Sequence, residues 1–207
     1  MQADMRDTAQ VQAVVDAAVA EFGKIDILIA NAGICSPAVL VDISDQAWSE
    51  MIETNLTGVF KSIRAVAPHM IKQGSGRIIA TSSILGRIGS ANLPHYAAAK
   101  WGVIGLVKSL ALDLGQYNIT VNAVCPTNVD TPMIQNPAMH HLFRPDLENP
   151  SREDVVSPLT EVNALPIPWV EPRDISEGML YLASESGRYV TGEALMIAAG
   201  WNATSTA

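Results

Sequence analysis

Cysteine, aromatic residues and charge are all scarce in this chain of 207 residues: 2 Cys, 5% aromatic, 16% charged. Two isolated cysteines, Cys35 and Cys125, cannot build the disulfide framework of a small secreted domain; they read as reduced, buried thiols in a cytoplasmic protein. Basic residues are outnumbered, 13 Lys and Arg against 21 Asp and Glu, for a formal net charge of -8. No basic stripe is left for a nucleic-acid partner. No apolar run reaches membrane-spanning length and no signal peptide is visible, so a membrane role is not expected and the sequon Asn202-Ala203-Thr204 is discounted. Repeats and low-complexity segments are missing. His140 and His141 have no cysteine or carboxylate at metal-ligand spacing beside them, so no metal is expected. Missing too is any G-x-G-x-x-G in a strand-to-helix context.

What the chain has is apolar bulk. At 48% hydrophobic residues it can bury one sizeable core, and we expect a single domain over residues 1–207. Asp7 or Thr8 can cap a helix to Phe22, with Gly23 ending it. Ile25 to Ala30 reads as a buried parallel strand that stops at Asn31-Ala32-Gly33. Ser44 opens a long helical segment to about Gln73 that contains Pro68. Ile78 to Ala80 is a strand, Pro94 to about Leu114 a helix, Ile119 to Val124 a strand. Residues 126–170 look Pro-rich and irregular; Pro172 to Leu182 is a helix and Ala194 to Ile197 a last strand. Strands alternating with helices predict an α/β fold, a Rossmann-like parallel sheet covered on both faces. Ligands of such sheets bind beyond the carboxyl ends of the strands. The polar clusters Asn31–Gly33, Ser82-Ser83 and Pro126–Thr131 all fall there.

The segment Gly76–Trp101 carries the chemistry. Ser83 follows a strand; Tyr96 and Lys100 stand four apart, on one face of the next helix. A lysine beside a tyrosine favours the phenolate and lowers its pKa, which suits proton exchange with an alcohol or carbonyl oxygen. Alone, Tyr-x-x-x-Lys is equally a surface lysine near a half-buried tyrosine. Ser83, thirteen residues before Tyr96, makes the pattern resemble the catalytic centre of the short-chain dehydrogenase/reductase family.

Other segments extend the resemblance over nearly the whole chain. Ile29-Ala30-Asn31-Ala32-Gly33 is similar to the family's Asn-Asn-Ala-Gly signature, with Ala30 in place of the first Asn. Pro126-Thr127-Asn128-Val129-Asp130-Thr131 is similar to its Pro-Gly-x-Val-x-Thr, with Thr127 in place of Gly. Phe143–Pro150 and Leu165–Val170 resemble a branch typified by carveol dehydrogenases and mycofactocin-associated dehydrogenases, in which Pro-Thr-Asn-Val also occurs.

The resemblance implies hydride transfer between NAD, with NADP not excluded, and a secondary alcohol or ketone, terpenoid alcohols among them. It implies Tyr96 as general acid and base, Ser83 as the group bonding the substrate oxygen, Lys100 on the nicotinamide ribose, and Asn55 anchoring a proton-relay water. Asp4 would bond adenine, Asn31, Ala32 and Gly33 would lie along the adenosine ribose, and Pro126, Val129 and Thr131 would hold the carboxamide. A homo-oligomer paired through the Asn55 and Tyr96 helices is expected. Residues 133–170 would form a substrate lobe, whose Met133, Met139, Leu142, Phe143 and Trp169 either line an apolar pocket or make a core under a long loop.

Family members carry an earlier strand, Gly-rich turn, helix and second strand, so the chain is expected to be truncated at its front, leaving the Ile25–Ala30 edge unpaired. A start assigned too late, a degraded gene product and a covering second chain are the explanations; the first is favoured because the later motifs are complete. The rival reading is a non-catalytic remnant that binds no cofactor. An epimerase or dehydratase of the extended branch fits less well, because the Pro126–Thr131 motif does not suit it.

Overall fold

The structure, a computed structural model, describes residues 1–204; positions 205–207 of the expected domain, and the side chain of Thr204 in the sequon, lie outside the described residues. Four parallel strands form one sheet in the order β1 (Ile27–Ala30), β2 (Gly76–Thr81), β3 (Ile119–Pro126), β4 (Ala194–Ile197). Their register aligns the carboxyl ends: Ala30 pairs with Ala80, Ala80 with Ala123, and Pro126 with Ile197. The expected α/β architecture is therefore present.

Helix α1 (Thr8–Phe22) starts where Asp7 accepts from the amides of Ala9 and Gln10 and stops at Gly23, whose φ of 77° is left-handed. With α3 (Gly58–Gln73) and α4 (Pro94–Gly115) it covers one sheet face. Val11, Val15, Ile63, Val66, Val103 and Val107 pack there on alternate strand residues such as Ile78, Ala80, Val121 and Ala123. A fully buried Val or Ile in such a layer contributes about 1.5–3 kcal/mol. The other face is narrower. Helix α7 (Pro172–Ala183), started by a capping box of Glu171 and Asp174, sets Ile175 and Leu182 against Ile79 and Val124.

Three sequence expectations change. The first strand spans only Ile27–Ala30, not Ile25–Ala30, and is buried on one face only: Leu28 and Ala30 join the core, while Ile27 and Ile29 are 46% and 47% exposed. It pairs with β2 alone, so its outer edge is open among the described residues. The long helix from Ser44 is interrupted: α2 (Asp45–Ile52) passes into a π turn at Glu53–Thr57 before α3 begins. Residues 126–170 are not wholly irregular, since Asn136 caps α5 (Pro137–Phe143) and α6 (Val156–Glu161) follows. Short helices of 7 and 6 residues leave too little periodicity to be seen in sequence. No helix among the described residues is long and apolar enough to cross a membrane.

Candidate active site

The carboxyl ends of β1, β2 and β3 open into a cavity of about 710 Å³. Of the residues singled out in sequence, Asn31, Ala32, Gly33, Ser83, Tyr96, Lys100, Pro126, Val129 and Thr131 line it. Asn55 stands directly behind, and Asp4 lies elsewhere.

Hydrogen bonds between neighbouring strand ends hold this floor together. Thr81 Oγ1 donates to Asn31 Oδ1 at 2.8 Å, joining β1 to β2. Lys100 Nζ donates to the Thr81 carbonyl at 2.8 Å, and Ser82 Oγ donates to the Lys100 carbonyl at 2.8 Å. Helix α4 is thus fastened to the end of β2 by the same two-residue segment that delivers Ser83. Ser83 is extended and caps the short turn Ile84–Gly86, its Oγ accepting from the Leu85 amide at 3.1 Å.

Asn55 lies in the π turn, fully buried. Its Oδ1 accepts from the Ile34 amide at 3.0 Å and its Nδ2 donates to the Ile34 carbonyl at 2.9 Å. Both ends of the amide are spent on one loop residue, the physical reason for an Asn inside a helix. Gly33 is the matching concession: a Cβ there would stand 2.7 Å from Asn55 Oδ1 and 3.7 Å from Lys100 Nζ.

Electrostatically the site differs from the sequence expectation. Burial pushes the Tyr96 phenol above its ordinary pKa, and Cys35, once ionised, adds to this; a hydrogen bond with Ser83 works against both. Lys100 does not lower it here. Its Nζ sits 5.5 Å from the Tyr96 ring centroid, and burial brings its own pKa down to about 8. Desolvation of the buried pair penalises both charged forms and outweighs what the lysine's field offers the phenolate. The thiol of Cys35, which sequence reads only as a reduced buried cysteine, lines the cavity and is pushed up to about 11 by burial.

The loop after β3 lies along the cavity with ordinary backbone geometry, for Thr127 is not among the residues with positive φ. Thr in place of Gly is therefore accommodated without strain. Thr131 Oγ1 turns back to the Val129 carbonyl at 3.3 Å. Thr127 Oγ1 and Asn128 Nδ2 are buried polar atoms with no partner on this same loop. Unpaired donors beside a cavity, and a Gly33 wall that a Cβ would fill, fit the nicotinamide end of a dinucleotide. Tyr96, Lys100 and the 126–131 loop are the residues that would hold that end, and Asn31–Gly33 would lie along the adenosine ribose. Asp4 stands outside the cavity lining, where Arg6 grips its carboxylate at 2.7 Å and holds its pKa down to about 2.

The two readings of the lobe divide. Met133, Met139, Leu142 and Phe143 line the cavity, while Trp169 lies under Arg152, whose guanidinium carbon is 4.5 Å from a ring centroid. His140 bonds Gln135 Oε1 at 3.1 Å and belongs to the lobe's own structure. Leu93 and Trp201, which sequence did not single out, complete the wall beside Tyr96. Nothing local in the sequence marks either one, since each reaches the site through long-range packing. Among the described residues, Lys100 is the one charged side chain of the lining.

A family model described as short chain dehydrogenase matches residues 1–140. A (-)-trans-carveol dehydrogenase of Rhodococcus erythropolis is 49% identical over 200 residues, covering 96% of this chain and 72% of that protein. A 3-oxoacyl-[acyl-carrier-protein] reductase of Thermotoga maritima is 36% identical, covering 95% of this chain and 74% of its own. Among solved structures, carveol dehydrogenase from Mycobacterium avium in complex with NAD superposes with a TM-score of 0.94 at 45% identity, over 97% of this chain and 73% of that one. Levodione reductase superposes at 0.88 and 33% identity, over 98% and 76%.

Proposed function

The chain belongs to the short-chain dehydrogenase family, and from that premise we propose that it oxidises an uncharged, apolar secondary alcohol, or reduces the matching ketone, with NAD as cofactor. The observation that carries this reading is the convergence of Ser83, Tyr96 and Lys100 on one largely apolar cavity. When bound, NAD supplies the hydride acceptor, or in its reduced form the hydride. The chain's own groups do the rest. Ser83 Oγ holds the substrate oxygen. In the reducing direction the neutral Tyr96 phenol, kept protonated by burial, gives its proton to that oxygen. In the oxidising direction the Tyr96 phenol first gives its own proton toward Lys100, whose pKa near 8 leaves a neutral amine to receive it above that pH, and the phenolate then takes the alcohol's proton. Lys100 is held for this by the Thr81 carbonyl, and Asn55 keeps Gly33 and Ile34 packed beside it.

The walls set the substrate class. Leu93, Leu142 and Trp201 cluster with Tyr96 and form an apolar flank for a hydrocarbon ring. With Lys100 as the sole charged lining side chain among the described residues, a carboxylate or phosphate on the substrate has no dedicated partner. A monocyclic terpenoid alcohol of the carveol kind suits that flank, and the 49% identical relative supports it. A remnant without activity draws no support, because the motif residues stand together in one site. Pairing of two copies through α2, α3 and α4 is part of the proposal; Phe60 and Trp101 present exposed apolar surface there, and sedimentation of the purified chain tests it.

Titration with NAD, followed by calorimetry and melting temperature, is the direct test. At a hundredfold excess over Kd the cofactor adds about 2.7 kcal/mol of stability. In a chain of this size that is a rise of roughly 5–10 °C. Tyr96→Phe should keep that binding and lose about 100-fold or more in turnover. No binding at millimolar NAD, or wild-type turnover in the variant, would sink the reading.

A further inference from the structure

Asp130 sits between Val129 and Thr131, both of which face the cavity, and is itself not part of the lining. Its carboxylate points the other way and meets Arg152 Nη2 at 2.6 Å. Arg152 in turn lies over Trp169 at 4.5 Å. The chain beside Trp169 closes the circuit. Val170 donates to the Asn128 carbonyl at 3.0 Å, its own carbonyl accepts from the Asp130 amide at 3.0 Å, and Val129 bridges Val170 in parallel. One guanidinium therefore clasps three separate stretches: the β3 loop, the segment following α5, and the strand-like residues before α7.

Arg152 is anchored on its own side as well. Ser151 donates from both its amide and its hydroxyl to Asp154 Oδ2, at 2.8 and 2.7 Å. Arg144 binds Asp146 at 2.7 Å and the Asp154 carbonyl at 3.2 Å. Arg144 directly follows α5, whose Met139, Leu142 and Phe143 form the cavity roof. The Arg152–Asp130 ion pair, backed by a stacked ring, thereby adds a second tie between the roof and the loop of Val129 and Thr131, beside the amides of Ile134 and Gln135 on the Thr131 carbonyl.

Resting on the dehydrogenase reading, we propose that Arg152 is a positioning residue: through Asp130 and Trp169 it fixes the Val129–Thr131 loop against the lobe that encloses the alcohol. Cofactor ring and substrate carbon are then held by two surfaces that cannot drift apart. Misplacement of about an ångström between reacting atoms is enough to cost 100-fold in rate. The planar guanidinium suits the task because it can bond a carboxylate edge-on while stacking on an indole. A lysine can do only the first.

The test uses Arg152→Met, Arg152→Lys, Asp130→Asn and the double variant Asp130→Asn/Arg152→Met. Amide hydrogen exchange at Asp130 and Val170 is read first, because it needs no cofactor. Faster exchange at these two amides in Arg152→Met, with the β2 and β3 amides unchanged, is the expected result. NADH affinity by fluorescence titration and the KM of the alcohol are read next. Each should weaken by about five- to tenfold in Arg152→Met, the scale of a half-exposed ion pair plus a cation–π contact. The double variant should be no worse than the worse single, and Arg152→Lys should recover part of the loss. Unchanged exchange, or additive losses in the double variant, overturns the clasp. Failure of the wild-type chain to bind NADH overturns the dehydrogenase reading instead, and with it the positioning role.

Discussion

Replacing Gly33 by Ala puts one methyl group against the most constrained side chain of the site. The new Cβ would stand 2.7 Å from Asn55 Oδ1, where an ordinary carbon–oxygen contact needs about 3.3 Å. Lys100 Nζ, at 3.7 Å, is at normal contact distance and need not move. The strain therefore falls on Asn55. That side chain has nowhere to go: it is fully buried and bonded at 3.0 and 2.9 Å to Ile34 and at 2.8 Å to Met51 Sδ. If the amide stays, overpacking costs about 1–3 kcal/mol. If it swings away, the Ile34 amide loses its partner at a similar cost of about 1–3 kcal/mol. Either route predicts roughly 2 kcal/mol, and a melting temperature lower by about 4–8 °C for a chain of this length. Calorimetric melts of Gly33→Ala, Asn55→Ala and the double variant check it. With Asn55 truncated the obstructing oxygen is gone, so Gly33→Ala should then cost under about 0.5 kcal/mol, a large coupling between the two sites. A single variant that melts with wild type, or an undiminished cost in the Asn55→Ala background, would refute the packing account.

Two further expectations concern the cavity itself. Lys100 has a folded pKa near 8 against an ordinary value of 10.5, so the folded state sheds its proton first. Between those values the unfolded chain binds more protons, and stability rises with pH. Melting temperature should therefore climb from pH 8 toward pH 10 relative to a Lys100→Met variant; parallel curves for the two proteins would contradict it. Leu142→Ala removes part of the wall beside Tyr96, and should raise the KM of the preferred alcohol by about tenfold or more while improving acceptance of bulkier ones. An unchanged substrate profile would place the ring elsewhere.

Much of this was legible in sequence because it is local. The capped helix from Thr8, the strand Ala194–Ile197 and the Pro94 helix carry their own start, stop and periodicity signals. Ser83, Tyr96 and Lys100 converge because one strand end and one helix face are sufficient to bring them together. What was not legible depends on partners far along the chain. No pattern near Ile34 announces that its amide and carbonyl both belong to Asn55. Arg152 and Asp130 are unremarkable charges until positions 22 apart in the chain are folded together. The shift of Tyr96 was anticipated in the wrong direction, since sequence places the lysine nearby but says nothing of how little water reaches the pair.

The π turn at Glu53–Thr57 carries a consequence for chain length. A π turn is an α-helix that holds one residue too many, and each residue advances a helix by about 100°. Deleting any one residue from this turn would let α2 run straight into α3 as regular helix. The deletion would be painless for the helix and costly for the site, for everything before it would rotate by about 100° against everything after it. Met51 would leave the core cluster that includes Tyr96, and Asn55 would no longer meet Ile34. Substitutions at Glu53 or Thr57 can be absorbed on a partly open surface, whereas the residue count between Ser44 and Gln73 cannot. In this segment the number of residues is itself the functional quantity.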